Sequence, residues 1–97
     1  MDGRKVNAVE LRQADALHWI EFETLVCQDA WEELGFGRFG EPVTFAGTLM
    51  EVENGHTMGR AWSRIRVSVT APNTRRKTDI ESVLGAHVTV TLTDLVG

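Results

Sequence analysis

Between Val88 and Thr93 the chain alternates strictly: Val88, Val90 and Leu92 are apolar, and Thr89, Thr91 and Thr93 between them are polar. A period of two buries one face only in an extended strand, where successive side chains point to opposite sides. This stretch therefore demands a sheet with one covered face, and the expected strand runs over His87–Leu95. Upstream, Thr78-Asp79-Ile80-Glu81 has capping-box spacing, and Gly85 suits the left-handed position that ends a helix. A short helix over Asp79–Leu84 is expected to feed the strand.

Two further β-patterned runs, Val43–Glu53 and Arg60–Ala71, flank Asn54-Gly55-His56-Thr57-Met58-Gly59 and read as a hairpin. Setting Met50 opposite Trp62 gathers Val43, Phe45, Leu49, Ile65, Val67 and Val69 on one face. Thr44, Thr48, Met50, Arg60, Trp62, Arg64 and Arg66 then share the other face. A slip of one residue would mix the two sets.

The N-terminal third has no Gly or Pro from Asn7 to Leu34, yet its apolar residues point in every direction on a helical wheel. As a strand, Ile20, Phe22, Thr24 and Val26 oppose Trp19, Glu21 and Glu23. A short strand near Val6–Arg12 and a short helix over Asp29–Leu34, ended by Gly35, complete the reading. The expected fold is α+β and mostly antiparallel, in the order β-β-α-β-β-α-β. It would form a partly open barrel or a sheet with one covered face. At 97 residues this is one domain over 1–97.

Hydrophobic content of 42% and charged content of 25% are ordinary for a globular chain. The start, Met1-Asp2-Gly3-Arg4-Lys5, lacks a signal-peptide apolar core, and the sole cysteine, Cys27, cannot form an intrachain disulfide. Both features favour an intracellular, cytoplasmic setting and no membrane partner.

Net charge is −4, distributed unevenly. Acids dominate from Glu21 to Glu53 (Glu21, Glu23, Asp29, Glu32, Glu33, Glu41, Glu51 and Glu53 against Arg38 alone). From Arg60 to Lys77 the charges are all basic: Arg60, Arg64, Arg66, Arg75, Arg76 and Lys77.

Chemical motifs are sparse. Gly35-Phe36-Gly37-Arg38-Phe39-Gly40 has the letters of a dinucleotide fingerprint but follows a helix and precedes a strand, the reverse of what a pyrophosphate site requires. It reads as a loop whose Phe36 and Phe39 tuck onto the core. His18, His56, His87 and Cys27 lack the short spacings of zinc sites. Cys27 reads as a small buried hydrophobe and Trp31 as core. No catalytic residue, metal ligand or cofactor is called for.

The candidate binding residues are Arg60, Trp62, Arg64, Arg66, Arg75, Arg76, Lys77 and Trp19. Arginines pair with phosphates and an exposed Trp stacks on bases, so a single-stranded nucleic acid is one partner such a face suits. Alternatively, Glu21 and Glu23 lie on a neighbouring strand and form a cross-strand ion ladder with Arg64 and Arg66. Arg75-Arg76-Lys77, set before a helix N-terminus, would suit an anion. Exposed Trp beside Arg is also the composition of protein-interface hot spots.

Ile80–Asp94 resembles a helix–Gly–strand segment of phage-tail and secretion-spike β domains, which assigns no family and no residue role. The leading functional expectation is a non-enzymatic protein-interaction or assembly module, self-associating or binding another protein, with a viral or mobile-element origin compatible. The alternative is a single-stranded nucleic-acid-binding β domain using the basic hairpin face. A small enzyme without a recognisable motif is third.

Overall fold

A computed structural model describes residues 3–93. The elements are β1 (Arg4–Asn7), 3-10 turns at Ala8–Glu10 and Gln13–Asp15, β2 (Trp19–Leu25), α1 (Asp29–Glu33), β3 (Pro42–Thr57), β4 (Arg60–Thr70), β5 (Lys77–Gly85) and β6 (Thr89–Thr93). All strand pairings are antiparallel, in the sheet order β1-β6-β2-β3-β4-β5. Most of the described chain is thus one open antiparallel sheet with a few short helical turns.

The sheet is open but cannot be flat. Only Ala86, His87 and Val88 join β5 to β6, and the Val88 amide donates to the Gly85 carbonyl. Four strand spacings separate β6 from β5 in the sheet, about 19 Å if flat, whereas four residue steps reach at most about 14 Å. The sheet therefore curls until the end of β5 approaches the start of β6, without closing as a barrel.

The concave face holds the core. Ile20, Phe22, Val43, Phe45, Leu49, Val52, Ile65, Val67, Val69, Ile80, Leu84, Val90 and Leu92 are buried there, each worth roughly 1.5–3 kcal/mol relative to exposure. Two plugs cover it. Ala8 and Leu11, around the first 3-10 turn, are fully buried against the strands. Trp31 of α1 packs edge-on against Phe45 with ring centroids 4.8 Å apart, and Phe36 does the same at 4.9 Å. The α1 segment is tied to β5 by Gln28, which donates to the Glu81 carbonyl, and to the β4–β5 loop by Asn73, which donates to Glu33. Gly35 ends the helix at φ +93°, as expected.

The expected β2 faces and the α1 helix agree with the structure, but other expectations need correction. Residues 79–84 are not helical. Ile80, Ser82 and Leu84 point inward while Asp79, Glu81 and Val83 point out, a period of two within a strand that pairs with β4 from Trp62 to Thr70. Cross-strand bonding and burial outweigh the local capping signal. The order therefore carries one α-helix, and the helix in the Ile80–Asp94 resemblance is absent. The expected strand Val6–Arg12 starts earlier and stops at Asn7, whose side chain accepts from the Val9 amide and turns the chain into a 3-10 segment. The last strand spans Thr89–Thr93: of the expected His87–Leu95, His87 and Val88 belong to the turn that the Val88 amide closes on Gly85, and Asp94 and Leu95 lie outside the described residues.

The β3–β4 hairpin has the expected faces and a different register. Its turn is two residues, Met58 and Gly59, both at positive φ (+51° and +77°), so pairing continues out to Thr57 and Arg60. Gly55, not Met50, lies opposite Trp62. On the core side Leu49 faces Val67, four residues from the expected alignment, and an even slip preserves the faces. Met50 is the extra residue of a β-bulge between Leu49 and Glu51. The bulge inverts the alternation: Leu49 and Val52 both point inward, and Glu51 and Glu53 point out.

Candidate functional site

The convex face is polar and divides into two regions. Over β3, β4 and β5 the bulge brings Glu51 opposite Arg66 and Glu53 opposite Arg64, while Glu81 pairs with Arg66 from the other side. Arg66 Nη1 lies 3.1 Å from Glu51 and its Nε 3.7 Å from Asp79. Arg64 Nη1 lies 3.3 Å from Glu53, and its guanidinium carbon sits 5.8 Å from the Trp62 ring centre. The expected ladder with Glu21 and Glu23 does not form, because β3 separates β2 from β4. Four carboxylates (Glu51, Glu53, Asp79, Glu81) surround two guanidinium groups, so this region is net acidic. A shallow hollow lies here, lined by Gln13, Glu51, Glu53, Arg64, Arg66 and Glu81 among others.

Over β6, β2 and β3 the face carries Thr89, Thr91, Thr93, Thr44 and Thr48 with Glu21 and Glu23. Trp19 stands here between Thr93 and Thr48, 40% exposed. Its row meets β4 at Ser68, six residues from Trp62, so about 20 Å of strand separates the two indoles along the sheet. They do not form one surface.

The predicted basic site is likewise split. Arg60, Trp62, Arg64 and Arg66 lie along β4, whereas Arg75, Arg76 and Lys77 lie at the far end of that strand, since Lys77 pairs with Thr70. They precede a strand and not a helix. Among the described residues, none of these three forms an ion pair, and Arg75 sits at φ +57°.

Trp62 has a specific structural task. Its ring covers Gly55, where a Cβ would fall 2.2 Å from Cζ2. Its indole N–H donates to Thr57 Oγ1 at 2.9 Å, and Arg64 stacks over it. Among the described residues no other strand accompanies the hairpin beyond this pair: β5 ends at Gly85 opposite Trp62, and β2 begins at Trp19 opposite Thr48. Residues 56–61 form a short two-stranded arm, stiffened at its root by Trp62. At its tip Met58 is 96% exposed. Nothing in sequence periodicity marks this residue; the Met-Gly pair at a two-residue hairpin turn is the signal that could have found it.

A second concavity is lined by Glu23, Thr24, Leu25, Cys27, His87, Val88 and Thr89. Leu25 is 55% exposed in it, and Cys27, expected to be buried, is exposed.

The glycine loop is self-satisfied. The Arg38 amide donates to the Glu41 carboxylate at 2.7 Å and the Phe39 amide to Glu32 at 2.9 Å, taking up the donors a phosphate would need. Phe36 packs on the core as expected, but Phe39 is 64% exposed. Among the described residues no group of three or more His, Cys, Asp or Glu side chains could hold a metal ion, and no helix is long and apolar enough to cross a membrane. No family model, curated protein or solved structure matches the chain.

Proposed function

We propose that the chain is a non-enzymatic protein-interaction or assembly module whose contact element is the β3–β4 arm. One observation carries this reading: Met58. A two-residue hairpin turn with positive φ at both positions favours Asn, Asp or Gly, and a side chain with a Cβ is disfavoured there. A thioether at 96% exposure also gains nothing from burial in this molecule. The position carries both a conformational and a solvation cost, and the arm beneath it is held rigid by Trp62, Thr57 and Arg64. A rigid element offering a flexible apolar tip is a contact with its ordering cost already met.

The test is oxidation of Met58, read by mass spectrometry, in dilute purified protein and in the cells that naturally make it. Fast oxidation in the tube and protection in the cell supports the reading. Equal rates in both settings mean that the tip is bare where it works, and the arm is then not a contact element.

The single-stranded nucleic-acid reading draws its support from Arg75, Arg76 and Lys77, three basic residues with no ion pair among the described residues. Oligonucleotide binding that falls steeply with salt, and disappears when all three become Gln, would favour it.

A further inference from the structure

We infer that the partner of the arm is a second copy of this chain, which receives Met58 in the groove between Leu25 and Val88. This rests on the arm being a contact element, as proposed above, and adds what it contacts. The groove has the matching chemistry. Its walls are apolar at Leu25, Val88, Cys27 and the methyl groups of Thr24 and Thr89, His87 adds an imidazole, and among the described residues its one carboxylate is Glu23. Leu25, like Met58, is a large apolar side chain left more than half exposed. The arm from His56 to Ala61 has one formal charge, Arg60, and no acid. Seating Met58 beside Leu25 brings the positive rim of the arm toward the negative rim of the groove. One apolar anchor flanked by one opposite-charge pair is a small contact, suited to reversible association.

The positions of the two features decide whether one molecule can satisfy both. Pro42 at the start of β3 pairs with Leu25 beside the groove, and the other end of this 16-residue strand carries the arm. The arm's root nonetheless lies near the groove's Val88 wall, because Trp62 is opposite Gly85 and the Val88 amide bonds back to Gly85. Met58 at 96% and Leu25 at 55% exposure show that the stiffened arm stands clear of its own groove, so a second copy is needed to fill it. Such a contact closes as a two-fold dimer when both arms are exchanged and propagates into a chain or ring when each copy gives its arm to the next.

The experiment is light scattering on the protein and two variants, Met58→Glu and Leu25→Glu. Wild type is expected to grow in mass with concentration. Each variant alone should remain at the 10.8 kDa monomer mass. Mixed one to one they should give a dimer of twice that mass, because Met58→Glu keeps an intact groove and Leu25→Glu an intact arm. A bulky maleimide on Cys27, within the groove, should abolish growth of wild type and needs no substitution, so a misfolded variant cannot decide the matter. Wild type that stays monomeric throughout, a mixture that stays monomeric, or growth that survives Cys27 labelling would each overturn the inference. A monomeric wild type whose Met58 is still protected in cells would leave the arm as a contact element for a different protein.

Discussion

Trp62 lies over Gly55 so closely that no other residue fits opposite it: a Cβ at position 55 would come within 2.6 Å of three ring atoms. Gly55→Ala must therefore push the indole aside and break its hydrogen bond to Thr57. The expected loss is about 1–2 kcal/mol, at the low end of overpacking costs because the ring is only partly buried. Thermal unfolding measures it, and the shifted indole N–H resonance of Trp62 identifies its source. An unmoved resonance would mean that the ring does not rest on Gly55.

Met58→Asn is expected to stabilise the isolated protein by about 0.5–1 kcal/mol, because Asn tolerates the left-handed conformation far better. The same change should weaken self-association. A variant that gains stability while losing association separates the role of Met58 in contact from any role in folding.

Gly47 sits in the centre of the sheet, buried, and a Cβ there would fall 2.1 Å from the Ser68 carbonyl oxygen. Backbone cannot swing away as a side chain can. Gly47→Ala is expected to cost about 3 kcal/mol and lower the melting temperature by more than about 10 °C. A shift of only a degree or two would place the strands further apart than described.

Arg66 is bridged by Glu51 and Asp79, but its side chain is 40% exposed and the charges are screened. Arg66→Gln is expected to lower stability by less than about 1 kcal/mol at low salt. The deficit should shrink toward zero near 1 M salt, where the screening length is about 3 Å. A deficit indifferent to salt would assign the loss to packing of the Arg stem.

Much of the sheet was legible because burial imposes a phase. Ile20 and Phe22 against Glu21 and Glu23, or Ile65, Val67 and Val69 against Arg64 and Arg66, leave one arrangement that hides the apolar set. Strand β5 was misread because Thr78 and Glu81 satisfy a helix-start pattern equally well, and only its pairing with β4 decides between them. The ion partners of Arg64 and Arg66 were missed through the bulge. Alternation through Val43, Phe45 and Leu49 would put Glu51 and Glu53 inside, and the extra residue at Met50 turns them out. That phase break, Leu49-Met50-Glu51-Val52-Glu53, is visible in the sequence once a bulge is allowed. The arm was less legible, since it depends on where β2 and β5 stop, which no local pattern records.

The place of β6 in the sheet carries a consequence for how the chain is made. Among the described residues β1 pairs only with β6, and Asn7 is hydrogen-bonded to Ala86 across 79 positions of sequence. The hairpins from β2 through β5 join neighbours along the chain and can form as soon as each emerges from the ribosome. β1 therefore docks only when β6 arrives, although Ala8 and Leu11 behind it can already pack on β4 and β5 and Leu11 can accept from Asn54. Until then the edge of β2 that β6 will cover is open to any other chain nearby. Translation speed and chaperone access therefore bear on the yield of this protein more than the modest size of its fold would suggest.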